Sequence, residues 1–392
     1  MHWASARSTQ ADLADAVVEA AAAVSARLDG ATPDLALAFI SQEHAAAYDR
    51  LPDLLAAGLA PRRMIGCSAG GVIGGGREVE RRPGLALIAA VLPGVDVETF
   101  ALDPRALPAA GAPPAAWEAA LGVRASSRPH LVLLPDPFSC DAEGVLRGLD
   151  AAYPAATKLG GLASGARAPG GNALYRDAAV RRAGLVGVAL AGDVAVDTIV
   201  AQGCRPIGEP MFVTGVDGRV IHALDGRRPL DVLQGLVERA DARDRRLFGH
   251  SLFLGVVMRA QVEYAQGDFL IRNIVGLDGE RGALAVAALV EPGAVVQFHL
   301  RDAETSADDL EALLARHDRV RRPAGALLFS CLGRGESLYG HADHDSSAFR
   351  RRLGDVPLAG FFCNGEIGPV QGVTFLHGYT SSFGLFRSAR GG

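Results

Sequence analysis

The chain has 392 residues, of which 49% are hydrophobic and 21% charged, with a formal net charge of -5. That length exceeds one ordinary core and favours two domains, and the balance is that of a folded globular protein rather than a disordered one. Mild acidity supplies no basic stripe for nucleic acid, and apolar runs such as 84–95 fall short of the roughly 18 residues of a membrane span, so neither nucleic-acid binding nor membrane insertion is expected. Asp12, Asp15 and Glu19 interrupt the start where a secretory signal needs an uncharged core. Five cysteines (Cys67, Cys140, Cys204, Cys331 and Cys363) are odd in number and form no CxxC. They argue against a disulfide framework and a zinc cluster, and for a reducing cytoplasm.

In chain order, the apolar stripe of Leu13, Val17, Val18, Ala21, Val24 and Leu28 predicts a helix over 12–28. A buried strand over 35–40 follows, then a helix from about 42 that Pro52 ends or kinks and Gly58 closes. Residues 63–71 read as a strand entering a corner of small residues, and 84–92 as another strand. The same order recurs: strand 131–134, a helix capped by Asp141 and stopped at Pro154, a glycine-rich strand and corner over 158–165, and a closing strand 185–190. A third copy runs from strand 326–329 through a helix over 346–353 to strand 356–362. The corner 363–369 and a closing strand over 374–386 complete it. In that last strand Phe375, His377, Tyr379, Ser381, Phe383 and Leu385 would share one face. Between the second and third copies lie strands over 253–258, 269–275, 284–290 and 295–300. The pair Ser306 and Asp309 reads as a capping box opening a further helix.

These patterns predict an α/β protein: two domains of mixed β-sheets layered with helices, built from loosely repeated β-α-β-β units. Ordinary α/β alternation would look alike, so the repeat stays one of two readings. The expected division is an N-terminal helical extension over 1–32, a first domain over 33–205 and a second over 206–392.

Several residues could carry chemistry. Gly66-Cys67-Ser68-Ala69-Gly70 fits the G-x-S-x-G elbow, but the glycines after it make a poor helix start, which leaves a tight corner with Ser68 and backbone amides able to face a ligand. His341, His344 and Asp345 have metal-ligand types without a further ligand pair, so no metal is expected. Arg334 follows a buried strand between two glycines, and is open equally to a ligand carboxylate or phosphate and to a structural salt bridge with Glu336 or Glu366. Cys67, Cys331 and Cys363 sit at strand ends, with His377 or His344 as bases if a thiol were catalytic; small buried hydrophobes are the plainer reading. The corner after residue 362 projects Asn364 and Glu366.

The stretches GCSAGGVIGG, FLIRNIVGLD, VQFHLRDA, ALLFSCLGRG, GFFCNGEIGPV and FLHGYTSSFGLF, in this order, resemble the FIST family (F-box and intracellular signal transduction). The resemblance runs from about residue 33 to 387. It implies a sensory, ligand-binding role in signal transduction, with small molecules such as amino acids as ligands. Family members occur alone, fused to output domains, or with an F-box. No residues remain here for a kinase, cyclase or F-box, so output would pass through a signalling protein partner. No cofactor and no catalytic residue carries over. The expected ligand site therefore rests on residue chemistry: Arg334 for a carboxylate, Glu366 for an ammonium and Asn364 for orientation, with Cys67, Ser68, Cys331, Cys363 and His377 nearby. Two other readings stand beside it: a thiol- or serine-dependent hydrolase or transferase, and a protein-interaction scaffold without a small ligand.

Overall fold

The computed structural model describes residues 1–317 and 322–390. The helix expected over 12–28 forms as Leu13–Arg27, and Asp12 caps it by accepting from the Ala14 and Asp15 amides. Before it, the strand His2–Ser8 gives the N-terminal extension a sheet role that its sequence pattern did not reveal. Ser306 lies inside the helix Ala303–His317 rather than before it. Asp302 does the capping instead, accepting from the Thr305 amide at 2.8 Å.

Contacts divide the chain into two compact units that do not follow a single cut near residue 205. One takes residues 1–200 and 312–376 with the stretch from Thr380 onward; the other takes 201–311 and 377–379. The first unit holds three six-stranded sheets of the same topology. In the first, the order is His2–Ser8, Leu85–Val91, Leu35–Ser41, Met64–Ala69, Leu174–Arg176, Ala179–Arg181. The second runs Val95–Leu102, Leu185–Gly192, His130–Pro135, Lys158–Gly161, Glu366–Val370, Val373–His377. The third runs Ala195–Ala201, Ser381–Arg387, Gly325–Cys331, Leu358–Cys363, Gly71–Gly74, Arg77–Glu80. In each sheet the third and fourth strands are parallel, joined by a helical crossover, and the second is antiparallel to the third.

The last two strands of every sheet come from a different repeat. The hairpin after the first repeat's corner (71–80) pairs onto the third repeat, the second repeat's hairpin (174–181) onto the first, and the third repeat's (366–377) onto the second. The exchange is cyclic, and it decides between the two readings of the sequence: the repeat is real. It also corrects the single closing strand over 374–386. Val373–His377 belongs to the second sheet and Ser381–Arg387 to the third, with Tyr379 at φ 67 between them. A chain that must leave one sheet for another cannot keep one alternating face.

Both faces of these sheets are covered, which explains their unbroken apolar runs. Ala36, Ala38 and Ile40 face the first helices, whereas Leu37 and Phe39 turn to a central core shared with Val132 and Leu134 of the second sheet and Leu327 and Phe329 of the third. There Phe39 stacks on Phe361 at 5.0 Å and meets Phe329 edge-on at 6.5 Å.

One glycine recurs in all three repeats. Gly66, Gly160 and Gly360 lie in register with Ala38, Leu133 and Leu328 of the parallel neighbour. A Cβ there would fall 2.1, 1.9 and 1.7 Å from that neighbour's carbonyl oxygen. Each glycine to alanine change is expected to lower stability by about 1–3 kcal/mol or more through overpacking. Gly279→Ala, which meets open space, should stay within about 0.5 kcal/mol. Urea titration followed by circular dichroism compares them, and equal midpoints for all four would contradict the repeat.

Most of the second unit lies in the chain between the third repeat's strands Ala195–Ala201 and Gly325–Cys331. Its strands Cys204–Asp217, Val220–Leu224, Ala283–Val286, Phe269–Asp278, Leu252–Val257 and Val295–Arg301 close in that order into a barrel. Ile221, Leu254, Leu284, Val286, Val296 and Phe298 fill it.

Candidate functional site

The three corners meet one another in the first unit. The Ser164 amide donates to the Ser68 carbonyl at 3.2 Å, and the Asn364 amide to the Leu162 carbonyl at 3.2 Å. The Ser164 hydroxyl accepts from the Gly70 amide at 2.9 Å and donates to the Phe362 carbonyl. These bonds close the ring of repeats through backbone groups, so they need small residues more than particular ones.

Ser68 sits within the strand Met64–Ala69, with no exposed surface, and the next element is the strand Gly71–Gly74. Its hydroxyl donates to Asn172 Oδ1 at 3.0 Å and accepts from the Ala173 amide at 3.0 Å. Asn172 in turn donates to Asp136 Oδ1 at 2.8 Å, and Ser139 to Asp136 Oδ2 at 2.6 Å. The hydroxyl is thus engaged by an amide and a backbone group, without the strand-to-helix turn that exposes an elbow nucleophile. Cys67 is a core thiol beside it, pushed well above its usual range by burial.

A second polar hub surrounds Arg334, which has no exposed surface. Its Nε donates to Asp345 Oδ2 at 2.9 Å, and its Nη2 to Asp345 Oδ1 at 3.1 Å and to the Tyr339 hydroxyl at 2.6 Å. Ser330 and Ser381 also donate to Asp345. Burial alone would raise this carboxyl; the Arg334 guanidinium, with His344 and Ser381, overrides it and holds Asp345 far below the usual carboxylate range. His344 stacks on the Tyr339 ring at 3.5 Å. Glu78, carried in by the first repeat's hairpin, accepts from the Ser346 amide at 2.8 Å and is pushed up to about 8 by burial and by the Asp345 charge.

Glu366 is equally sealed. Its Oε2 accepts from the Thr380 amide at 3.1 Å and hydroxyl at 2.6 Å, and Cys363 Sγ donates to its Oε1 at 3.4 Å. Burial pushes the Glu366 carboxyl up to about 7, against the pull of those donors. Asn364 is exposed and reaches the Ala163 carbonyl at 3.5 Å. Cys331 is half-buried. His377 is buried and belongs to the second unit.

The expectation that Arg334, Glu366 and Asn364 line one enclosed hollow for a ligand is corrected by their partners: Asp345 engages Arg334, and Thr380 and Cys363 engage Glu366. Asp345 occupies the guanidinium fork, and neither Arg334 nor Glu366 presents surface to solvent. The partner of Arg334 is Asp345 rather than Glu336 or Glu366. Sequence reasoning grouped Asp345 with His341 and His344 as metal-ligand types and missed it as the partner of Arg334, because at the start of the helix His344–Leu353 an acidic residue looks like ordinary helix-end chemistry. Asp136 was legible only through the repeat: counting three residues on from Ala38, Leu133 and Leu328 gives Ser41, Asp136 and Cys331. Among the described residues, no cluster of three or more His, Cys, Asp or Glu could hold a metal.

The second unit carries an open cleft of about 710 Å³ against the barrel strand Cys204–Asp217 and the helices Pro229–Arg239 and Ala242–Phe248. Met211, Val232 and Leu236 supply its apolar floor, with Glu209, Arg227 and Arg239 at its edge. Asp231 and Asp244 are already paired with Arg228 and Arg205. Arg227 reaches only the Met211 sulfur, at 3.9 Å. Neither Arg239 nor Glu209 has an ion-pair partner among the described residues. Their chain positions carry no motif; only the barrel's closure brings residues 209, 227 and 239 together.

Residues 34–227 match the FIST N domain and residues 229–369 the FIST C domain. An uncharacterized protein of Mycobacterium tuberculosis is 42% identical over 387 residues, covering 97% of this chain and 98% of its own. One from Mycobacterium bovis is 39% identical over 386 residues, covering 96% and 97%. An F-box/LRR-repeat protein of Arabidopsis thaliana is 26% identical over 185 residues, 41% of this chain and 34% of its own. With both domains matched across most of its length, the chain belongs to the FIST family, whose domains are sensory modules of signal transduction.

Proposed function

We propose that this protein is a cytoplasmic sensor that binds a small zwitterionic or anionic molecule, an amino acid or a related metabolite, in the cleft of its barrel unit and signals through a protein partner. The observation that carries this reading is the set of charges at the cleft's edge that have no ion-pair partner among the described residues. Arg227 and Arg239 would take a carboxylate, and Glu209 an ammonium, over the apolar floor of Met211 and Leu236. A volume of about 710 Å³ suits a small metabolite, and barrel mouths commonly hold such ligands. The cysteines, all free, fit a reducing compartment. No described helix is long and apolar enough to cross a membrane.

A thermal-shift screen of amino acids and related metabolites tests the reading. Ligand at a hundred times its dissociation constant should stabilise the chain by about 2.7 kcal/mol. Arg227→Ala and Arg239→Ala should each weaken binding about tenfold or more, because a charge-assisted hydrogen bond contributes about 1.5–3 kcal/mol. Undiminished affinity in the double variant would remove the cleft as the site. No stabilisation by any compound would remove the ligand class.

A further inference from the structure

Cys331 and Cys363 stand opposite one another on neighbouring strands. They are register partners at the ends of the parallel strands Gly325–Cys331 and Leu358–Cys363. Neighbouring strands run about 4.8 Å apart, inside the Cα separations of about 4.4–6.8 Å that disulfides span. Their side chains share a face: Leu327 and Phe329 precede Cys331 by four and two residues, Ala359 and Phe361 precede Cys363 likewise, and all four lie in the central core with Cys363. The repeat does not require this pair. The corresponding positions are Ser41 against Ala69 in the first repeat, and Asp136 and Ala163 in the second. Only the third repeat has a thiol on both strands.

We propose that Cys331 and Cys363 form a redox-active thiol pair, in which a hydroperoxide oxidises Cys331 and Cys363, its proton given up to Glu366, closes the disulfide. Cys331 is the accessible partner, half-buried where Cys363 is fully buried. The Gly333 amide donates to Cys331 Sγ at 3.5 Å, and the Arg334 guanidinium lies within electrostatic reach of that sulfur, so negative charge developing there is met by a donor and a cation. In the first step the Cys331 thiolate attacks the peroxide. An S–O bond forms, the O–O bond breaks, and the leaving alkoxide or hydroxide takes a proton, which leaves a sulfenic acid and an alcohol or water. In the second step Cys363 attacks the Cys331 sulfur, forming the S–S bond and expelling hydroxide, which leaves as water. Glu366 Oε1, which already accepts from Cys363 Sγ at 3.4 Å, receives the thiol proton; that proton and the departing oxygen make up the water. The remaining thiols lack this setting. Burial pushes Cys140 up to about 12, with help from Asp141 and Asp136, and it has no register partner of its own kind.

Mass mapping of the full chain tests the pair. Reduced protein is treated with one equivalent of hydrogen peroxide, then unfolded, alkylated and digested. The expected product is a linked pair of peptides carrying residues 331 and 363, lighter by two hydrogens and restored by dithiothreitol. Cys363→Ala should stop at a Cys331 sulfenic acid that dimedone traps, and Cys331→Ser should leave Cys363 a free thiol. Should Cys363→Ala fail to fold, the unsubstituted chain still decides. Cys331 advancing to sulfinic acid while Cys363 stays free, or both remaining thiols while Cys140 oxidises, would overturn the proposal.

Discussion

Replacing Arg334 by methionine is expected to destabilise the first unit by about 3–5 kcal/mol, the range for removing one partner of a buried ion pair. Methionine keeps most of the volume, so packing loss is not the main effect. What remains is Asp345, with only 3% of its side chain exposed, deprived of the cation that holds it ionised. Ser330, Ser381 and His344 still donate to it, but hydrogen bonds from neutral hydroxyls do not balance a full charge at such depth. The deficit should shrink on acidification, because a proton can neutralise the orphaned carboxylate. Arg334→Met with Asp345→Asn should recover more than half of the loss at neutral pH. Denaturant unfolding followed by tryptophan fluorescence reads all three chains; a loss below about 1 kcal/mol in the single variant would mean that Asp345 does not depend on Arg334.

The second large effect concerns the buried carboxyl at Glu366. Its pKa, pushed up to about 7 by burial from an ordinary 4.5, means that the folded chain keeps a proton the unfolded chain has lost. Between about pH 4.5 and 7 the folded state binds more protons, so this group makes stability fall as pH rises; above pH 7 the loss is complete, at about 3 kcal/mol. Glu366→Gln mimics the protonated form and can still accept from Thr380. It should therefore leave stability nearly unchanged at pH 4.5 and raise it by about 3 kcal/mol at pH 8, flattening the alkaline limb. Glu78, pushed up to about 8, adds a slope of the same sign that the substitution leaves in place. Asp345 acts oppositely: its contribution is present above the unfolded carboxyl range and is lost as pH falls. A variant no more stable than the parent at pH 8 would show that Glu366 is not held neutral by its burial.

Much of the local structure could be read from residues near one another. The stripe of Leu13, Val17 and Val24 predicted its helix, Asp141 its cap, and the small-residue corners after the central strands their tight packing. Four of the barrel's six strands were legible as strands, though not as a closed set. Several strands escaped notice, and in two of them, Arg77–Glu80 and Val95–Leu102, the residues alternate with charges that look like surface. The candidate site was less legible. Arg334 and Glu366 were singled out as charges beside apolar strands, and both are indeed buried, but their partners lie on other elements. Glu78, Thr380 and the cleft edge at Glu209, Arg227 and Arg239 carried no motif to mark them, and Asp345 stood out only beside two histidines, not as a partner of Arg334.

The amino-acid order by itself determined the alternation of strand, helix and glycine corner, and the family, and it suggested a threefold recurrence that the sheets then settled. Each of these depends on periodicity and on residue size, which neighbours along the chain express directly. Only the tertiary structure decided which repeat receives which hairpin, and hence that Glu78 sits beside Asp345 and that Cys363 faces Cys331. Backbone hydrogen bonds at a sheet edge are the same for every residue type. Which edge a hairpin finds is therefore settled by how three sheets close around one shared core, not by anything written in the hairpin alone.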